Sequence, residues 1–144
     1  MTSMTLPELS KKIAEIDFCM FETRAETGDI AARPMSNNGD VEYTGDSHFF
    51  TWEQSRTVDD IKRTPHVGLS FVGKGGPQGK PPMFIAVQGD AELIRDKADF
   101  QTHWNPDLER WFEQGVDTPG MVLIKVHATR IHYWDGEDDG ELKL

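Results

Sequence analysis

The sequence predicts a mainly β fold, a closed or nearly closed antiparallel barrel with short helices covering its ends. Three observations carry this expectation. Six or so apolar, alternating segments are separated by clusters of Gly, Pro, Asn and Asp. Only short helical patterns stand between them, which argues against a βαβ fold. Consecutive hairpins, moreover, cannot be made parallel without long crossover connections. A chain of 144 residues is one domain's worth of sequence, too short for a two-domain dehydrogenase or an α/β barrel.

Taken in order, residues 7–15 read as an opening helix, with Thr5 as its cap and Leu6, Leu9, Ile13 and Ile16 at helical spacing. Residues 17–24 and 30–36 read as a hairpin with Gly28 at its tip, followed by a loop at 37–40. Residues 48–52 form a third strand and 57–62 a helix, stopped at Thr64-Pro65. The segment 66–72 alternates as a half-buried strand does, and the Gly- and Pro-rich run 73–82 is its hairpin loop. Residues 83–94 make one long strand that bends at Gly89. Asp96 caps a short helix, and Asn105-Pro106 opens another that runs to about Phe112. The last strand is 121–134, with His127 and His132 five apart and therefore on opposite faces. Residues 1–136 form the single domain, and 137–144 are an acidic tail expected to be solvated and disordered.

Twenty-five acidic against fifteen basic side chains give a net charge of −10, which repels nucleic acid and anionic lipid at long range. No apolar run approaches the ~18 residues of a membrane span. The first residues lack the basic and apolar regions of a secretion signal. One cysteine, Cys19, excludes an intrachain disulfide; it sits in an apolar strand and reads as inert. The expectation is a cytoplasmic protein that binds neither nucleic acid nor membranes. The five histidines show no metal spacing, so no metal site is expected. The run 75–80 resembles a phosphate-binding loop in composition only: Lys74 stands where that motif needs glycine, and Lys80 precedes Pro81 rather than Ser or Thr. Trp104, Trp111, Phe100 and Phe112 on the short helices read as core or dimer contacts.

The richest segment for chemistry runs from Arg33 to Ile61. A strand ends at Thr51, and a helix begins near Ser55 to Thr57. A helix start presents unpaired N–H groups and a partial positive charge. With the hydroxyls of Ser55 and Thr57 and the guanidinium of Arg56, it makes an anion site suited to a phosphate monoester. Arg33 reaches the same oxygens if the second and third strands are neighbours. A second reading stands beside this one: Ser55 and Thr57 are caps only, and Arg56 pairs with Asp60 on the helix surface.

Certain motifs, taken together in order and spacing, carry a resemblance. They are Arg33-Pro34-Met35, then Phe49-Phe50-Thr51 followed by Ser55-Arg56, an apolar strand ending at Gly89, and Tyr133-Trp134-Asp135-Gly136. Over residues 6–136 this layout resembles the pyridoxamine 5'-phosphate oxidase-like family. Cys19 to Thr23, Trp104-Asn105-Pro106, Trp111 to Gly115 and Asp117-Thr118-Pro119 resemble its general stress protein branch. The resemblance implies a Greek-key-like split β-barrel that binds FMN at a homodimer interface. It places Arg33 at the flavin phosphate and ribityl chain, with Pro34 and Met35 beside the ring. It places Phe50 and Thr51 near ring and tail, and Ser55 and Arg56 as the phosphate clamp. Thr57 replaces a frequent lysine there, and Trp134 is offered to the partner subunit's flavin.

The oxidases of this family continue past that tryptophan into a strand carrying an Arg-x-His substrate clamp; here the chain runs from Asp135-Gly136 into the acidic tail, with no arginine. The resemblance therefore implies an FMN-dependent oxidoreductase of unknown substrate, with a small molecule or NAD(P)H as partner, rather than a vitamin B6 oxidase. The alternative is a non-catalytic protein that stores or senses flavin in stress. No side chain stands out as a catalytic proton donor.

Overall fold

The computed structural model of the chain describes residues 4–37 and 43–144, so the expected loop at 37–40 lies, beyond Asn37, outside the described residues. Helix α1 spans Leu6–Ala14. Thr5 caps it by accepting from the Glu8 N–H while the Glu8 carboxylate accepts from the Thr5 N–H. Strands β1 (Phe18–Arg24) and β2 (Ile30–Ser36) form the hairpin around Gly28, whose φ of 91° favours glycine. Then come β3 (Asp46–Trp52), α2 (Arg56–Arg63), β4 (His66–Val72), β5 (Phe84–Ile94), α3 (Lys97–His103), β6 (Met121–Asp135) and β7 (Asp138–Lys143). The helix expected from Asn105 is a 3-10 turn, Pro106–Arg110, with Asn105 as its cap.

The seven strands make one antiparallel sheet in the order β2-β1-β4-β5-β6-β3, with β7 also on β6. Strands β4, β5 and β6 are consecutive neighbours and β3 returns beside β6, a Greek-key arrangement. The end strands β2 and β3 are not hydrogen-bonded neighbours. The barrel is therefore split at one seam rather than closed. Pro34 lies on end strand β2, where a missing N–H is tolerated.

Strand β6 is long enough to serve two partners on one edge: β3 along Met121–His127 and β7 along Arg130–Asp135. The interior is filled by Phe21, Phe49, Leu69, Phe71, Ile85 and Ile131 among others, all nearly fully buried. A second apolar cluster lies on the outer side of β3, where Phe100, Phe112, Met121 and Leu123 pack with Phe50 and Trp104.

Two expectations are corrected here. Gln88 pairs with Arg130 and Gly89 with Ala128, so Thr129 is an extra residue on β6. The inward set changes from Val122, Ile124, Val126 and Ala128 before the bulge to Ile131 and Tyr133 after it. His127 and His132 consequently share the face away from the interior. The acidic tail, expected to be disordered, contains β7. Its Leu142 packs against the interior cluster, and Gly140 leaves room for the Tyr133 ring. Its carboxylates also find partners: Glu141 pairs with Arg130 at 3.1 Å and Asp139 with His132 at 3.0 Å.

Candidate anion and cofactor site

Ser55 ends the segment leaving β3 in an extended conformation and caps α2, its Oγ accepting from the Val58 N–H. Its own O–H is thereby left to donate. The N–H groups of Arg56 and Thr57, first in the helix, have no intrahelical acceptor. The Arg56 side chain is exposed and makes no hydrogen bond or ion pair among the described residues. The surface pair with Asp60 does not form, because Asp60 is buried and already engaged.

Asp60 joins this helix to the sheet. It is 4% exposed. Its Oδ1 accepts from Arg63 Nη2 at 2.6 Å, and its Oδ2 accepts from Thr23 Oγ1 at 2.7 Å and faces Arg33 Nη2 at 3.5 Å. Arg33 points inward from β2, opposite Phe21, and its Nη1 donates to Thr23 Oγ1 at 2.7 Å and to the Phe21 carbonyl at 3.2 Å. Arg33 is thus tied to α2 through Asp60 and across β1, not by strand pairing between β2 and β3. Thr57 is buried on the same helix face as Asp60, one turn (about 4.5 Å along the axis) nearer the helix start.

The structure thus puts Ser55, Arg56 and Thr57 at the start of α2 and ties Arg33 to the same helix one turn further on, at Asp60. Thr51 stands on the interior side of β3, opposite Val122 and four residues before Ser55. Met35 packs against the interior cluster from β2. The others are not gathered with them. The strand pleat turns Phe50 to the outer side, where its ring packs edge-on to Phe100 and Trp104 at centroid distances of 5.8 and 5.3 Å. The same alternation turns Pro34 outward. Trp134 lies on the outer face of the sheet, stacked on His132 with centroids 4.0 Å apart. It lines an apolar groove of about 550 Å3 with Val72, Pro81, Pro82 and Phe84.

Thr23 and Asp60 escaped the sequence reading, although a signal was present. Thr23 continues the inward alternation Cys19, Phe21, and Asp60 sits beside Val58 and Ile61 on the apolar side of its helix. A polar residue in an inward register needs a partner.

A profile of the family described as "Pyridoxamine 5'-phosphate oxidase like" matches residues 5–144. The chain belongs to this family. It is 27% identical over 135 residues to the protein bli-3 of Neurospora crassa, a match covering 88% of this chain and 62% of bli-3. The chain therefore spans about three fifths of that relative's length. Among solved structures, general stress protein 26 of Bacillus anthracis is 25% identical with a TM-score of 0.71, covering 94% of this chain and 98% of that one. A Clostridium acetobutylicum protein related to general stress protein 26 superposes with a TM-score of 0.79 at 18% identity, covering 96% and 94%. For this pyridoxamine 5'-phosphate oxidase-like chain, the likenesses give the split-barrel fold and the general stress protein kinship.

Proposed function

We propose that this chain binds FMN by its phosphate at the start of α2. The observation that carries the reading is the start of α2, where the Ser55 cap, the unpaired first-turn N–H groups and the exposed Arg56 stand together, with the Arg33 guanidinium held to the same helix one turn further on at Asp60. Two arginines there, in a chain of net charge −10, favour a specific dianion over general attraction. The donor set fits a phosphate monoester. Ser55 O–H and two backbone N–H groups donate, Arg56 swings in from the surface, and Arg33 stands fixed below. Thr51 and Met35, on the strands flanking the seam, line the ribityl chain or ring. A cytoplasmic setting fits the single buried thiol.

The flavin, when bound, supplies one- and two-electron redox chemistry, and the protein supplies position and electrostatics. The reading extends to a homodimer. Phe18, Met20, Val72, Phe84 and Trp134 are each at least 40% exposed and share the outer face of neighbouring strands. A second copy covering that face brings the partner's Trp134 to each flavin. Vitamin B6 oxidation is disfavoured, since β7 does continue the chain past Trp134 but carries no arginine or histidine.

A redox role with NADH, NADPH or a small-molecule substrate is one use of the cofactor. Non-catalytic flavin binding is the other. It is favoured by the makeup of the α2 cluster, which contains guanidiniums, hydroxyls and one carboxylate tied up by two arginines. None of these is a proton donor poised for chemistry. Titrating the purified protein with FMN tests binding. Arg56→Ala should weaken it by roughly one to two decades, since a charged hydrogen bond to phosphate contributes ~1.5–3 kcal/mol. The unfolding midpoint should hardly move, as expected for an exposed side chain. Unchanged affinity in that variant would remove the clamp. Anaerobic mixing of the FMN complex with NADH or NADPH separates the two uses: rapid bleaching means a reductase, lasting colour a binder.

A further inference from the structure

A long side chain that grips a ligand gives up rotamer freedom, and one already held in place gives up less. Arg33 is already held. Thr23 Oγ1 accepts from Arg33 Nη1 and donates to Asp60 Oδ2, both at 2.7 Å, which closes a triangle of three side chains from β1, β2 and α2. The other carboxylate oxygen of Asp60 is taken by Arg63, so Asp60 is pinned from both sides. Thr23 is 3% exposed and Asp60 4%. Neither can touch a ligand. Arg33 and Arg63 together outweigh the charge of Asp60, which lies one helical turn below the first N–H groups of α2.

We propose that Thr23 and Asp60 are positioning residues for the ligand phosphate: they lock the Arg33 guanidinium beneath the first turn of α2 and so set how strongly the site prefers a phosphorylated ligand to its dephospho form. The inference rests on the flavin reading above. It gives the buried hydroxyl a task that packing alone does not require, since a valine would fill the same space.

Thr23→Val is the test, because it preserves shape and leaves every charge in place. Dissociation constants for FMN and riboflavin are measured by flavin fluorescence for the wild type, Thr23→Val and Thr23→Ser, with thermal unfolding alongside. The expected result is about a tenfold loss of FMN affinity in Thr23→Val, with riboflavin changed less than about twofold. Thr23→Ser, which restores the hydroxyl, should return FMN binding to near the wild-type value. A folded Thr23→Val with unchanged FMN affinity overturns the proposal. So does an equal weakening of both flavins, or a lowered unfolding midpoint alone, since those are the marks of a purely structural residue. Should Thr23→Val not fold, Thr23→Cys takes its place with the same readouts. A wild type that binds neither flavin removes the flavin reading and this inference with it; normal wild-type discrimination retained by Thr23→Val removes this inference only.

Discussion

His48 is stacked on His103, with ring centroids 3.6 Å apart and planes inclined by 13°. Burial first, and the neighbouring His103 second, lower its pKa from 6.5 to about 4, against the opposing pull of Asp46 and Asp99. Between those two values the unfolded chain takes up a proton that the folded chain refuses. Stability from this group is therefore full above pH 6.5 and falls as pH drops toward 4. Allowing for screening of a half-buried ring, denaturant unfolding at pH 5 should give a free energy about 1 kcal/mol lower than at pH 7. His48→Gln should flatten that difference, and an equally steep profile in the variant would refute the assignment. Cys19 behaves in the opposite sense. Burial pushes its thiol up to about 12, so the native protein should resist alkylation at pH 8 and react once unfolded. Single residues were legible in the sequence where local chemistry decides, as with the Thr5 and Ser55 caps. Asp60 was not, because besides the nearby Arg63 its partners lie 37 residues away on β1 and 27 away on β2, and only the folded sheet brings them together.

At the scale of the element, Gly89 shows what a bulge demands. A Cβ there would lie 2.5 Å from the His127 carbonyl oxygen and 3.0 Å from Val126 Cγ1. Gly89→Ala should destabilise the protein by roughly 1–3 kcal/mol, read as a lowered denaturation midpoint, because backbone and side chain must both move. The glycine marks the irregular position on β5. The extra residue, Thr129, lies on the opposite strand, and nothing local marks it. That single insertion reversed the faces assigned to the second half of β6. Strand β7 was missed for a related reason. Charge density argued for solvation, whereas Gly140 and Leu142 meet Tyr133 and the interior only once β6 is in place. A side chain at 140 would overlap the Tyr133 ring, approaching Cζ to 2.5 Å. Gly140→Val should therefore loosen β7, and early amide exchange along 138–143 would report it.

The whole molecule combines a strongly acidic surface with an exposed apolar strip across β1, β4, β5 and β6. Such a strip on a small domain marks a contact surface. Sedimentation should give twice the chain mass of 16.3 kDa, and Val72→Asp, placing a charge at the middle of the strip, should return the monomer. A wild-type monomer at micromolar concentration would refute the dimer. The barrel class was legible from alternating segments and turn residues. The seam came from the family resemblance and not from the alternation, since whether β2 meets β3 depends on the curl of the intervening strands.

The pairing of β3 with β6 reaches further than architecture. Residues 46–52 wait for 121–127, and the Met4 N–H waits for the Tyr133 hydroxyl, 129 positions along the chain. During synthesis β3 leaves the ribosome well before β6, so its sheet edge stays unsatisfied until residues 121–127 have emerged. The sheet closes only once β6 is present, so a chain stalled before residue 121 leaves that edge open to wrong pairing.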